Sequence, residues 1–169
     1  MDNLAELDLD EYQWGQKMPS VNHSFVQARI AGLLINDERF TPFIELSLDV
    51  SQIDLKQFGL KIKEELIPDV CLYEGKHHFN PSNDILKRSD MPQLVVEILS
   101  PKQGIDDILA KFRAYFALSI KSCWLIIPAN KSITVYSTPE QFKTFGTNDT
   151  EVSDETLDIR LSIPKLFGK

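Results

Sequence analysis

The period of the apolar positions changes several times along this chain, and each change marks an element. Residues 21–36 carry Phe25, Ile30, Leu33 and Leu34 behind Ser20, a good N-cap residue, so the spacing predicts a helix. Gly32 inside it suits close approach of another element. From Pro42 to Val50 the pattern mostly alternates: Phe43, Ile44, Leu46, Leu48 and Val50 oppose Glu45, Ser47 and Asp49, which predicts a strand. Residues 51–66 are charged and weakly patterned, a connection with room for one helical turn. Ile67 to Tyr73 reads as the next strand, opened by Pro68 where the missing N–H does least harm. Residues 74–91, with Gly75, Asn80, Pro81, Ser82 and Asn83, form an extended loop.

The second half repeats the logic. Leu94 to Leu99 is a buried strand, and Ser100-Pro101 is a strand-to-helix junction. A helix follows to about Ser119, with Ile105, Ile108, Leu109, Phe112 and Phe116 in one stripe. Ser122 to Pro128 is another buried strand, and Asn130-Lys131 turns the chain into an antiparallel neighbour, Ser132 to Tyr136. Phe142 to Phe145 and Leu157 to Leu161 read as edge strands, and the terminal IPKLFGK as a closing turn of helix. Residues 1–19 mix acids with Leu4, Leu7, Leu9, Tyr12 and Trp14, which suits a short surface helix. End to end the chain is helix, three strands, helix, strand, with an antiparallel addition.

One residue breaks this pattern. Glu97 stands among Leu94, Val95, Val96, Ile98 and Leu99. An ionised carboxylate there costs several kcal/mol, on the order of the desolvation penalty of any buried ion, unless something compensates it. The compensating partner is either a structural Lys or Arg or a metal ion. Asp69 is similarly out of place, because Asp is depleted in strands, although Pro68-Asp69 also reads as a turn entering the strand. At about 100° per residue, Asp107, Lys111 and Tyr115 stack beside the apolar stripe of the second helix. Lys111 can run its stem along apolar surface and deliver its ammonium to the sheet's edge. The plainer alternative is a surface Asp107–Lys111 pair. Glu45 is either a solvent-facing strand residue or an additional acid, and His23 either an ordinary hydrogen-bonded histidine or a ligand. The loop's His77 and His78 have no acids at ligand spacing.

Composition narrows the classes. The 169 residues are 43% hydrophobic and 25% charged, which suits one ordinary globular domain. No apolar run has the length of a transmembrane helix, and the acidic start MDNLAELDLDEY is unlike a targeting peptide, so a cytoplasmic protein is the expectation. Cys71 and Cys123 lack a CxxC pattern and read as buried thiols. A net charge of −7 argues against a nucleic-acid coat protein, which needs a broad basic surface. It does not argue against phosphate held through metal, because clustered carboxylates are what such a site requires. Two converging carboxylates and a lysine are the parts that phosphodiester hydrolysis needs.

Taken together, Pro68-Asp69-Val70, then LVVEILSP at 94–101, then Asp107, Lys111, Tyr115, Trp124 and Pro128 resemble the Uma-two family of endonucleases, abundant in cyanobacteria, of the PD-(D/E)XK superfamily. The resemblance runs from about His23 to Tyr136. It implies an α/β restriction-endonuclease-like fold, with an αβββαβ core around a central mixed sheet flanked by helices, as a single domain over 1–169. It also implies a Mg²⁺-dependent DNA endonuclease (Mn²⁺ serving as well), working as a homodimer. Asp69 and Glu97 would be the metal ligands. The superfamily lysine normally sits two residues after the second acid, where this chain has Leu99; the resemblance points instead to Lys111 on the next helix. Glu45 becomes a third acid, His23 matches a family position, and Tyr115 supports Lys111. The rival reading is a catalytically silent interaction module that keeps the fold and closes a Glu97–Lys111 pair; a hydrolase of small phosphorylated molecules is a further alternative.

Overall fold

In the computed structural model, residues 20–61 and 64–168 are described, and the helix read over residues 1–19 lies outside them. Helix α1 (Val21–Leu34) begins where the Ser20 hydroxyl accepts the His23 amide at 3.1 Å, satisfying one of the first turn's orphan donors. Its buried row is His23, Val26, Ile30 and Leu34. Phe25, expected inside, is exposed with the Arg29 guanidinium 4.9 Å over its ring; Val26, about 100° further round, takes the inward position.

Strand β1 (Phe40–Ile44) is shorter than the alternation to Val50 predicts. Glu45 adopts a left-handed backbone, φ 51°, which ends the ladder. The chain resumes as β2 (Leu48–Asp49), which pairs with β3 (Glu65–Leu66) in a separate two-stranded sheet. The connection holds a 3-10 turn, Leu55–Phe58, stopped by Gly59 at φ 78°. Strand β4 (Val70–Glu74) starts three residues later than expected, so the Pro68-Asp69 segment is the turn entering the strand.

The main sheet continues with β5 (Leu94–Ile98), β6 (Ser122–Ile127), β7 (Ser132–Tyr136) and β8 (Phe142–Phe145). Its order is β1-β4-β5-β6-β7-β8; β5 and β6 are parallel and every other pairing is antiparallel. Helix α2 (Ile105–Ala117) makes the parallel crossover that a hairpin cannot. The expected αβββαβ core is therefore α1, β1, β4, β5, α2 and β6, with β7 and β8 as the antiparallel addition. Strand β10 (Ile159–Ser162), read as an edge strand of the sheet, instead pairs with β9 (Glu151–Asp154), and α3 (Ile163–Phe167) closes the chain. Among the described residues no helix is long and apolar enough to cross a membrane.

Alternation along the strands divides the core. Val70, Leu72, Leu94, Val96, Ile98, Trp124 and Ile126 face α1 and α3. Cys71, Tyr73, Val95, Cys123 and Leu125 face α2, with Leu48, Leu55 and Leu66 extending that layer. Each fully buried Leu, Ile or Phe contributes about 1.5–3 kcal/mol, so both layers matter. Glu97 shares its parity with Val95 and so points towards α2. The 74–91 loop is tied back by Arg88, which stacks 3.7 Å over Tyr73 and pairs with Asp90, while Lys87 pairs with Glu65. Both cysteines are free and buried, and burial pushes the Cys71 thiol up to about 12.

Candidate active site

Strand register brings the two anomalous acids together. Val70 pairs with Val96 in the antiparallel β4–β5 ladder, and Asp69, the residue before that pairing, turns its carboxylate onto the Ile98 amide, next in the chain to Glu97. Asp69 and Glu97 are both completely buried. Each is compensated by specific donors, as burial of a carboxylate requires. The Ile98 amide donates to Asp69 Oδ2 at 2.7 Å, and His23 Nε2 lies 3.1 Å from Oδ1. His23 is thus a buried neighbour of the first acid, placed there by the capped first turn of α1. One turn later the Gln27 side chain donates to the Asp69 main-chain oxygen at 3.0 Å. That contact escapes sequence reading; its one trace is the i, i+4 spacing of His23 and Gln27.

On the other side, Tyr115 donates its phenol to Glu97 Oε1 at 3.0 Å. Burial, reinforced by the adjacent Glu97 charge, raises the phenol well above its ordinary value, so it stays protonated and remains a donor. The Tyr115 hydroxyl reaches the acid because a side chain on α2 leans back towards the helix N-terminus and the end of β5. Replacing Tyr115 by Phe is expected to lower stability by about 1.5–3 kcal/mol, the usual worth of a buried hydrogen bond to a charged group. Urea denaturation measures it, and a loss below about 0.5 kcal/mol would mean that Glu97 does not draw on the phenol.

Lys111, half-buried, lies one turn before Tyr115 on the same flank of α2. Among the described residues no ion pair within 4 Å joins Lys111 to Glu97 or to Asp107. The closed Glu97–Lys111 pair and the Asp107–Lys111 surface pair are therefore both absent there. Asp107 is exposed in the first turn of α2, where a negative charge complements the helix dipole. Glu45 approaches the site through its backbone: its amide donates to the Asp69 main-chain oxygen at 3.2 Å while its side chain is exposed. The left-handed turn that ends β1 aims the amide inward and the carboxylate out. Among the described residues no three His, Cys, Asp or Glu side chains are grouped so as to hold a metal ion.

The donor set suits a hard divalent cation. Mg²⁺ is commonly held by one or two carboxylates, with water and substrate oxygens filling its other positions. A carboxylate oxygen has two lone-pair sites, so the contacts from Tyr115 and Ile98 are compatible with coordination.

Comparison with known proteins bears on this arrangement. A family model for Uma2, described as "Putative restriction endonuclease", matches residues 13–166. A crystal structure described as "a putative nuclease belonging to DUF820", from Anabaena variabilis ATCC 29413, aligns with a TM-score of 0.68 at 22% sequence identity. The alignment covers 90% of this chain and 84% of that one. At this identity the likeness shows the fold alone, and the fold is the restriction-endonuclease-like one. No curated protein matches the chain. Since the family match spans nearly the whole sequence and contains Asp69, Glu97 and Lys111, this chain belongs to the Uma2 family.

Proposed function

We propose that the chain is a divalent-metal-dependent DNA endonuclease of the PD-(D/E)XK type. Asp69 and Glu97 hold Mg²⁺ or Mn²⁺, and Lys111 acts at the phosphate. The observation that carries this reading is the meeting of two buried carboxylates where β4 begins and β5 ends, Asp69 bonded to the amide that follows Glu97, beside a helix that supplies a lysine without an ion-pair partner among the described residues. When bound, such an ion polarises a phosphoryl oxygen and lowers the pKa of water at the site. Asp69 and Glu97 contribute hard oxygen ligands and leave other positions for water and substrate. Lys111 sets a positive charge where negative charge grows on phosphorus. DNA as substrate rests on the family's description, and the net charge of −7 is compatible with phosphate held through metal. Cutting both strands calls for two such centres, which places the active form in a homodimer.

Cation binding is tested by thermal unfolding. At a hundred times its dissociation constant, Mg²⁺ is expected to stabilise the protein by about 2.7 kcal/mol, or roughly 5–11 °C for a chain of this size. Glu97→Ala is expected to abolish the shift. A wild-type protein that melts at the same temperature with and without Mg²⁺, Mn²⁺ or Ca²⁺ would remove the metal from this reading. Cleavage itself is tested by plasmid nicking with site variants.

A further inference from the structure

Asp69 lies outside every strand, in a bend between Pro68 and the first paired residue of β4, so no ladder fixes its backbone. The surrounding structure does so instead. Gln27 Nε2 donates to the Asp69 carbonyl at 3.0 Å, and the Glu45 amide donates to the same oxygen at 3.2 Å. His23, one turn before Gln27 on α1, lies 3.1 Å from the side chain of the same residue. Two side chains on one face of a capped helix thus grip one acid, the first at its carboxylate and the second at its backbone. The half-buried Gln27 reaches inward beside the buried row of Val26 and Ile30 that seats α1 on the sheet.

This matters because Mg²⁺ demands near-ideal octahedral geometry, and partners that orient its ligands typically change affinity 10–100-fold. We propose that Gln27 is a positioning residue: through the Asp69 carbonyl it sets where the Asp69 carboxylate sits relative to Glu97, and so sets the affinity of the cation site. The inference rests on the reading of Asp69 as a cation ligand. A merely structural role for Gln27 predicts something different, namely a less stable protein whose folded form binds cation as before.

The test is Mn²⁺ binding to the purified full chain, followed by loss of the free-ion electron paramagnetic resonance signal, with the cation-free melting temperature measured in parallel. Gln27→Met keeps the side chain's length and removes its donor; Gln27→Leu serves if the first variant does not fold. Mn²⁺ affinity is expected to fall about tenfold, within the range for ligand-orienting partners, with the folded state intact. Unchanged affinity in a folded Gln27 variant overturns the proposal, whatever happens to the melting temperature. Asp69→Asn controls the underlying reading. If wild type binds no Mn²⁺, or Asp69→Asn binds as tightly as wild type, the assignment of Asp69 fails and Gln27's role falls with it. That failure appears without any change at Gln27, so the two are distinguishable.

Discussion

Glu97→Gln is expected to reduce Mg²⁺-dependent nicking of supercoiled plasmid by at least about a hundredfold, the scale on which removing one preorganised charged group slows an enzyme. The substitution preserves shape and leaves an amide oxygen for Tyr115 to donate to, but it removes the negative charge that a cation requires. Glutamine fills the same buried space and keeps an acceptor for the Tyr115 hydroxyl, so the fold is expected to persist. Lys111→Ala is expected to cost about as much, for a different reason: the half-buried lysine is absent from the ion pairs of the described residues, so its charge is available to phosphate. Conversion of supercoiled to nicked and linear DNA, with each variant checked by circular dichroism, measures both. If folded wild type leaves plasmid intact with Mg²⁺ and with Mn²⁺, or if both variants cut like wild type, the nuclease reading fails at this site. An interaction module that keeps the fold then becomes the better description.

Asp154→Ala is expected to be the most destabilising single change away from the acid pair, by about 3–5 kcal/mol, the cost of breaking a buried charged network from one side. Asp154 is almost fully buried at the end of β9. Its Oδ2 accepts from the Ser122 hydroxyl and, at 2.8 Å, from the Trp124 indole, while Oδ1 accepts the Leu157 amide at 3.0 Å. Ser122 and Trp124 belong to β6 in the middle of the main sheet, so this one carboxylate ties the β9–β10 hairpin to the core. Alanine leaves the Ser122, Trp124 and Leu157 donors without it, each costing about 1–3 kcal/mol where buried. Urea or thermal unfolding should register a fall of roughly 6–20 °C in Tm. Asp154→Asn, which keeps an acceptor, should lose less. A loss under 1 kcal/mol for Asp154→Ala would mean that the hairpin is held by its apolar contacts, Val152 and Ile159, and not by this carboxylate.

The same network explains Trp124, which belongs to the family-like pattern of the sequence but carries no chemistry at the acid pair. It is a completely buried tie between layers. Its indole can be recognised as buried from the apolar run SCWLIIP, but its acceptor lies 30 residues away on another sheet and leaves no local trace.

Elsewhere the division is equally physical. The helices over 21–34 and 105–117, the strands of the αβββαβ core and the β6–β7 hairpin are written in local periodicity and caps, because those patterns decide which face of an element is buried. Glu97 could be singled out from the sequence alone, since a carboxylate in an apolar strand needs a partner. What that partner is, local pattern does not say. Tertiary structure decided that the Asp69 carboxylate meets the amide next to Glu97, that His23 and Gln27 reach Asp69, that Tyr115 donates to Glu97, and that Glu45 offers its amide while its carboxylate faces outward. It also broke the predicted strand at Glu45 and moved the 159–162 strand off the main sheet, because strand ends are set by pairing partners and backbone sign. By itself the sequence determined the elements, the buried faces and the acids that do not belong there; only the folded chain decided which of them meet, because pairing register and side-chain reach join residues that are distant along the chain.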